Sequence, residues 1–276
     1  SGNLRTTMDA SINSITVGRG GGNLSTNTAV GNGALQANTT TGVNNTAVGY
    51  HALQLNTTDL SGSGSNNTAI GYNALAVNTS GVQNTAIGAE TLSANQTGNN
   101  NLALGLQSLT ANIHGSSNVS IGPNSMQSNT SGDSNVAIGQ GALYYNNIGV
   151  KNIAIGVSAG YDLSGNSDYN TFLGAYTDAS SIVITYSNST ALGYGAIIDA
   201  SNQIVLGGKN PISSSYPGVY IPGSYVGIGG VYNPGNGFTL DLSWNLNTTM
   251  DASINSITVG RGGGNLSTNT AVGFEA

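Results

Sequence analysis

The residues able to do acid–base or metal chemistry are few, and the closest acidic pair is Asp162 and Asp168. Carboxylates at this spacing could belong to a calcium loop or to a glycoside hydrolase. A calcium loop normally carries more acidic oxygens, and a hydrolase needs two carboxylates that face each other across a cleft. We therefore predict a polar turn over residues 162–168 and retain Asp162 and Asp168 as weak calcium candidates.

Other metal and phosphate chemistry has little support. His51 and His114 occupy different positions of the repeat described below, so they predict no metal pair, and the chain has no cysteine to form a zinc site. The glycine-rich run at residues 18–22, G-R-G-G-G, is not followed by the lysine and helix of a phosphate loop. We interpret it as a glycine hinge, and we expect no cofactor and no enzymatic activity.

Charge excludes one class of partner and hydropathy excludes another. Charged residues make up 6% of the chain, the net charge is −6, and the few lysines and arginines are scattered. Nucleic-acid binding needs clustered cations that displace counterions from phosphates, so we expect no such partner. No apolar run approaches the roughly 20 residues of a membrane-spanning helix, so we expect no membrane insertion.

A 17-residue repeat organises most of the chain. Pentapeptides such as N-T-A-I-G begin at this constant interval, at Asn67, Asn84, Asn101, Asn118, Asn135 and Asn152. The consensus is N-[TVLI]-[AS]-[IVL]-G-x-x-[AST]-L-x-x-N-x-x-G-x-x, and its positions are numbered 1 to 17 below. Glycine, asparagine, threonine and β-branched residues disfavour helix and favour short strands joined by turns. The sequence therefore predicts an all-β fold, a parallel β-roll or β-solenoid whose coils each comprise one repeat.

Stacking of identical coils aligns the asparagines of repeat position 12. Aligned asparagine side chains can hydrogen-bond from coil to coil. The predicted structural ladder comprises Asn78, Asn95, Asn112, Asn129 and Asn146.

Alternation within each strand predicts two different faces. Positions 2 and 4 carry large or β-branched residues, and position 3 between them is almost always Ala or Ser. We expect positions 2 and 4 to fill the core, and the small-residue face to allow close approach of neighbouring chains. Because one coil holds few large inward side chains, we predict a homo-oligomer, with threefold symmetry suited to a fibre.

The two ends of the chain repeat each other. Residues 6–31 and 248–273 are identical over 26 positions. We interpret the chain as one super-repeat followed by the start of another in a tandem array. The predicted organisation is a connector end and glycine hinge at 1–22, a β-roll at 23–207, an interwoven β connector at 208–264 and the start of the next β-roll at 265–276.

Two parts of the sequence resemble known families. The N-T-A-I-G and N-V-A-I-G coils resemble the β-roll heads of YadA-type trimeric autotransporter adhesins, although the L-x-x-N column departs from that pattern. The segment 225–245, YVGIGGVYNPGNGFTLDLSWN, resembles connectors of phage and giant-virus tail fibres, with Trp244 in place of the usual glycine. The resemblance implies a homotrimeric extracellular fibre on a virion or cell surface.

The leading functional hypothesis is thus a structural fibre segment whose main partner is itself. Two alternatives remain open. Tyrosines enriched late in the chain could bind host-surface glycans, as in a tailspike-like module. An ice-binding solenoid would need a regular outward threonine array, yet position 2 changes after Thr85 to Leu102, Val119, Val136 and Ile153.

Overall fold

The structure is a computed structural model that describes residues 9–13, 15–38, 41–57 and 64–208, together with the backbone of three strands within residues 252–273. The chain divides into two compact units, residues 1–220 and 221–276. Apart from Gly208 and two of those strands, the connector predicted at 208–264 lies outside the described residues.

The described part of the first unit contains fifteen short strands and one 3₁₀ turn at Gly21–Asn23. The strands are β1 Ala10–Ile12, β2 Ile15–Gly18, β3 Thr28–Gly31, β4 Thr46–Val48, β5 Thr68–Ile70, β6 Thr85–Ile87, β7 Leu102–Leu104, β8 Val119–Ile121, β9 Val136–Ile138, β10 Ile153–Ile155, β11 Thr171–Leu173, β12 Asp178–Ala179, β13 Thr190–Leu192, β14 Ile197–Ile198 and β15 Ile204–Leu206. The second unit holds β16 Ala252–Ile254, β17 Ile257–Gly260 and β18 Ala271–Gly273.

One sheet of 13 strands runs through the first unit. β1, β2 and β3 are antiparallel neighbours, and every later pairing in this sheet, from β3 to β15, is parallel and in register. A second parallel pair joins β12 to β14. This confirms the prediction of an all-β parallel solenoid, with about ten coils of about 17 residues each.

Left-handed backbone conformations turn each coil. The residues at repeat positions 7, 9 and 17 have positive φ, among them the column leucines Leu92 (φ 52°) and Leu109 (φ 54°). A non-glycine residue there costs about 1–2 kcal/mol. Burying a leucine side chain contributes about 1.5–3 kcal/mol, so burial offsets the backbone cost. Both leucines are fully buried.

Glycine is required at repeat position 5, where the strand ends. Gly71 has φ 139°, and a Cβ built there would lie 2.3 Å from the carbonyl oxygen of Gly88 in the next coil. Each coil approaches the next at this point more closely than any side chain permits. The glycine column therefore sets the close stacking of the coils.

The predicted orientation of the strand faces is wrong. The residue at position 3 points inward and is fully buried, as in Ala69, Ala103 and Ser120, while positions 2 and 4 point outward. The reason is the size of the interior. Leucine and asparagine columns from the other side of the coil already occupy it, which leaves room for a methyl or hydroxymethyl group.

Candidate interaction surface

The outward strand positions form a continuous surface, called the outer face here. It consists of repeat positions 2 and 4 of β3 to β11, β13 and β15. None of its residues is charged. Isoleucines on this face keep a large exposed fraction, 39% for Ile87 and 38% for Ile155, and Ile204 at the last strand is 74% exposed.

The outer face is similar in area to the largest exposed patch of a typical monomer. Eleven parallel strands about 4.8 Å apart and about 10 Å long give it about 500 Å² of projected area. The largest apolar patch on a typical monomer is about 300–600 Å², and patches of this size commonly mark interaction sites. In-register pairing also gives the face one constant axial repeat, which a second copy of the same sheet would match.

Large side chains also follow the strand-ending glycine at repeat position 6. The exposed members are Tyr50, Tyr72, Leu106, Val157 and Tyr194. Tyr50 stacks on Tyr72 with ring centroids 5.6 Å apart, and His51 stacks on Tyr50 at 3.8 Å. His114 lies in a different coil, where its Nδ1 is 2.9 Å from the Thr97 hydroxyl, so the two histidines belong to separate contacts.

The asparagines of position 12 form hydrogen bonds through the interior. Each Nδ2 donates to the Oδ1 of the preceding coil, from Asn95 to Asn78 at 2.8 Å and from Asn112 to Asn95 at 2.8 Å. The bonds continue through Asn129 and Asn146. Each Nδ2 also donates to the position-15 glycine of its own coil, such as Asn95 to Gly98 at 3.1 Å.

A second buried ladder lies at position 1, and sequence reasoning gave it no role. The Oδ1 of Asn84 accepts the backbone N–H of Asn101 at 3.0 Å, and Asn84 Nδ2 donates to the Gly98 carbonyl at 2.8 Å. The asparagine that begins nearly every pentapeptide was the available signal. Since the two ladders share the position-15 carbonyl, they close each coil across its interior.

Asp168 has a structural contact at the coil surface. Its Oδ1 accepts the backbone N–H of Val150 in the preceding coil at 2.8 Å. Asn99, Ser116 and Asp133 occupy the same repeat position and make equivalent contacts. Asp168 thus has the same structural role as a neutral asparagine or serine.

The other calcium candidate, Asp162, lies near a different carboxylate. Its backbone N–H donates to Asp178 Oδ1 at 2.9 Å, and Ala179 N–H donates to the same oxygen at 2.8 Å. Burial raises the pKa of Asp178 to about 7; these two hydrogen bonds oppose the rise, and the charge of Asp162 adds to it. Within the described residues, no group of three acidic, histidine or cysteine side chains could hold a metal ion.

The late tyrosines pack mainly on one another. Tyr144 stacks on Tyr161 with centroids 4.8 Å apart, and Tyr145 meets Tyr161 edge-on at 5.3 Å. Partial burial is the main cause that raises the pKa of Tyr161, and the neighbouring Tyr145 and Tyr144 raise it further. Tyr169 lies beneath the Lys151 ammonium, which is 5.0 Å from the ring centroid. These rings form local contacts between coils and leave exposed edges at the surface.

No helix among the described residues is long and apolar enough to cross a membrane. Comparison with known protein families, curated proteins and solved structures finds no match to this chain.

Proposed function

We propose that this chain is a non-enzymatic structural segment of a tandem-repeat filament on a virion or cell surface, and that it assembles laterally as a homotrimer through its outer face. The observation that carries the proposal is the uncharged outer face of the parallel sheet, with outward-pointing isoleucine, leucine or valine side chains in each of its strands. A single chain leaves this face in water. Lateral contact between copies would bury it.

The interior supports a mechanical role for the coils. Two asparagine ladders link the central coils to one another, so that a pull along the solenoid axis is shared by many parallel hydrogen bonds. Solenoids of this kind gain stability from nearest-neighbour contacts and lengthen by addition of repeats. A filament needs both properties.

Self-association is favoured over a foreign partner by the regularity of the face. In-register strands place like residues at a constant interval, and an identical sheet has the same interval. The number three comes from the resemblance to trimeric surface fibres. A closed ring of three copies around an axis parallel to the solenoid would cover all three outer faces.

Sedimentation of the full chain tests this proposal. We expect the unchanged chain to sediment at three times the chain mass. Replacing Ile87 and Ile155 together by lysine should give a monomer with unchanged circular dichroism, because both side chains are exposed in the single chain.

The matched control replaces the exposed residues Gln96 and Asn166 by lysine, which adds the same charge away from the outer face. This control should remain trimeric. A monomeric or dimeric unchanged chain, or a trimer in the Ile87→Lys, Ile155→Lys variant, would contradict the proposed assembly.

Attachment to surface glycans is a second candidate function, favoured by the exposed Tyr169, Tyr176 and Tyr194 in the later coils. Exposed aromatic rings can stack on sugars. A glycan array should then show binding that is lost when these three tyrosines become alanine. Retention of binding by this variant would exclude these rings as the site.

A further inference from the structure

Residues 9–23, called the end cap here, close the N-terminal end of the solenoid. β2 lies between β1 and β3 and is antiparallel to both, whereas β3 pairs in parallel with β4 on its other side. β3 is therefore the strand at which the sheet changes from antiparallel to parallel. With β2 on its N-terminal side, no parallel coil can stack there.

The glycines of the end cap complete the first coil. Gly21 N–H donates to the Leu35 carbonyl at 2.8 Å, and Asn38 Nδ2 donates to the Gly21 carbonyl at 3.3 Å. In the next coil, Asn56 Nδ2 makes the corresponding bond to Asn38 Oδ1 at 2.6 Å. Gly21 thus takes the place of a preceding coil at the start of the position-12 ladder. These contacts hold the segment that the sequence suggested as a hinge.

A carboxylate fastens the turn that follows β2. Asp9 accepts the backbone N–H of Arg19 at 2.6 Å with one oxygen and that of Gly20 at 2.7 Å with the other. A Cβ on Gly18 would lie 2.1 Å from the Asp9 carboxylate, so the approach requires glycine. A Cβ on Gly20 would likewise lie 2.7 Å from Leu35 Cβ. The end cap is specified by these residues and by the strand pairing together.

The same sequence forms the same pairing a second time. β16 pairs with β17 and β17 with β18 in the registers that β1, β2 and β3 have in the first copy, such as Ala252↔Val259 for Ala10↔Val17. Among the described residues, β18 is paired only to β17. Its counterpart β3 carries a parallel coil on the side that faces away from β2.

We infer that the duplicated segment is an end cap in both places and starts a solenoid in both. The edge of β18 that faces away from β17 is then an interaction surface for a parallel coil. The partner is a second copy of the coils that follow β3, joined to the cap as in the first module. This inference deepens the proposed filament and rests on its tandem arrangement. The filament would then be a series of separate solenoids, each begun by its own cap.

An extended chain tests the inference. Ala276 corresponds to Ala34 when the two copies of the duplicated segment are aligned, so a second copy of residues 35–208 can be joined directly after Ala276. A Thr57→Ser change in the appended copy gives the peptides that span residues 46–57 of that copy a distinct mass. Hydrogen exchange at the appended copy of β4 should match exchange at Thr46–Val48 in the original.

Matched substitutions then separate the two caps. Val259→Pro removes an N–H from the central strand of the second cap, and we expect exchange in the appended β4 to rise roughly tenfold or more relative to Val259→Ala. The original solenoid should not change. Val17→Pro, compared with Val17→Ala, should produce the reverse pattern.

Two results would overturn the inference. One is an appended β4 that exchanges freely although the second cap is intact. The other is equal exchange in the Val259→Pro and Val259→Ala chains. The proposed assembly is tested separately by sedimentation, since a monomeric chain would contradict the trimer and leave the cap result standing.

Discussion

The central coils, residues 67–151, and the C-terminal coils, residues 152–208, share one parallel sheet but fill their interiors differently. The central coils combine Ala or Ser at position 3, Leu or Met at position 9 and Asn at position 12. In the C-terminal coils, Phe172 replaces the small strand residue, Gly160 replaces the column leucine and Leu163 replaces the asparagine. A buried Tyr186 follows, with its hydroxyl 2.9 Å from Ser180 Oγ.

The two regions also differ in the length of their coils. From Thr68 to Ile153, successive strands begin at the constant interval of the repeat. Beyond the last ladder asparagine, Asn146, the interval varies: the coils that lead to Thr171 and Thr190 are longer than the repeat, and the one that leads to Ile204 is shorter. The bonds from positions 1 and 12 to one glycine carbonyl hold these three groups together in each central coil. They do not fix the number of residues between them, because Asn45 and Asn56 make the same two bonds to Gly64, which follows Asn56 by eight residues rather than three.

The largest expected effect concerns the aromatic core of the C-terminal coils. Phe172 is fully buried, and Phe172→Ala should lower the free energy of unfolding by about 3–5 kcal/mol. A Cβ on Gly160 would lie 3.0 Å from the Phe172 ring, so Gly160→Leu should restore part of this loss in the double variant. Gly160 has φ 61°, close to that of the column leucines. Urea unfolding measures the stability of the single and the double variant. A double variant no more stable than Phe172→Ala would show that a leucine at position 160 does not fill the volume left by the phenylalanine ring.

The next effect concerns the ladder of the central coils. Asn112→Leu removes the acceptor of Asn129 Nδ2 and the donor to Asn95 Oδ1, both buried. We expect a loss of about 2–4 kcal/mol, because buried polar groups are left without these partners. Asn166→Leu at an exposed position is the control and should change little. Equal urea midpoints for the two variants would show that the ladder contributes nothing to stability.

A smaller effect is expected when the C-terminal pattern is placed in a central coil. Ala137→Phe should cost about 1–3 kcal/mol, because Met126 occupies the position that corresponds to Gly160. Adding Met126→Gly reproduces the Phe172 arrangement and should recover part of the loss. Thermal unfolding of both variants checks this. A neutral Ala137→Phe would mean that the central interior has spare room.

The most local effect is a pH dependence confined to the C-terminal coils. The folded-state pKa of Asp178 is about 7, against 3.8 for the ordinary group, so the folded state binds more protons between these values. The contribution of Asp178 to the stability of these coils should therefore be largest below about pH 4 and should fall as the pH rises towards about 7. Hydrogen exchange at Ala179 should follow this change, and Asp178→Asn should flatten it. Asp133→Asn, in a central coil, is the control. If the pH dependence of exchange at Ala179 is the same in Asp178→Asn as in the unchanged chain, a group other than Asp178 causes it.

The order of the coils could be predicted from the sequence because it depends on spacing. A 17-residue interval with glycine and asparagine in fixed columns leaves few alternatives to stacked parallel strands. The position-12 ladder followed from the same columns. The position-1 ladder was equally visible as a column, but its burial depended on which way the strand faced, and alternation alone cannot determine that.

Asp168 illustrates a second limit of prediction from the sequence. As one of the closest acidic pair it was a weak calcium candidate within a predicted polar turn, and in the structure its carboxylate accepts one backbone N–H from the preceding coil. Asn99, Ser116 and Asp133 accept the equivalent bond from their own preceding coils. Because an amide, a hydroxyl and a carboxylate can all accept it, the residue types in the sequence do not show that the four positions share one role.

The sequence by itself determined the repeat, the parallel all-β architecture and the duplication of the end-cap segment. Only the tertiary structure decided which strand face is the core. Large side chains were expected inside, because apolar residues are usually buried. The leucine and asparagine columns fill the narrow interior first, so the alanines point inward and Ile87, Ile155 and their equivalents remain outside. This competition for interior volume arises only when the coil closes, so the sequence of a single strand does not show it.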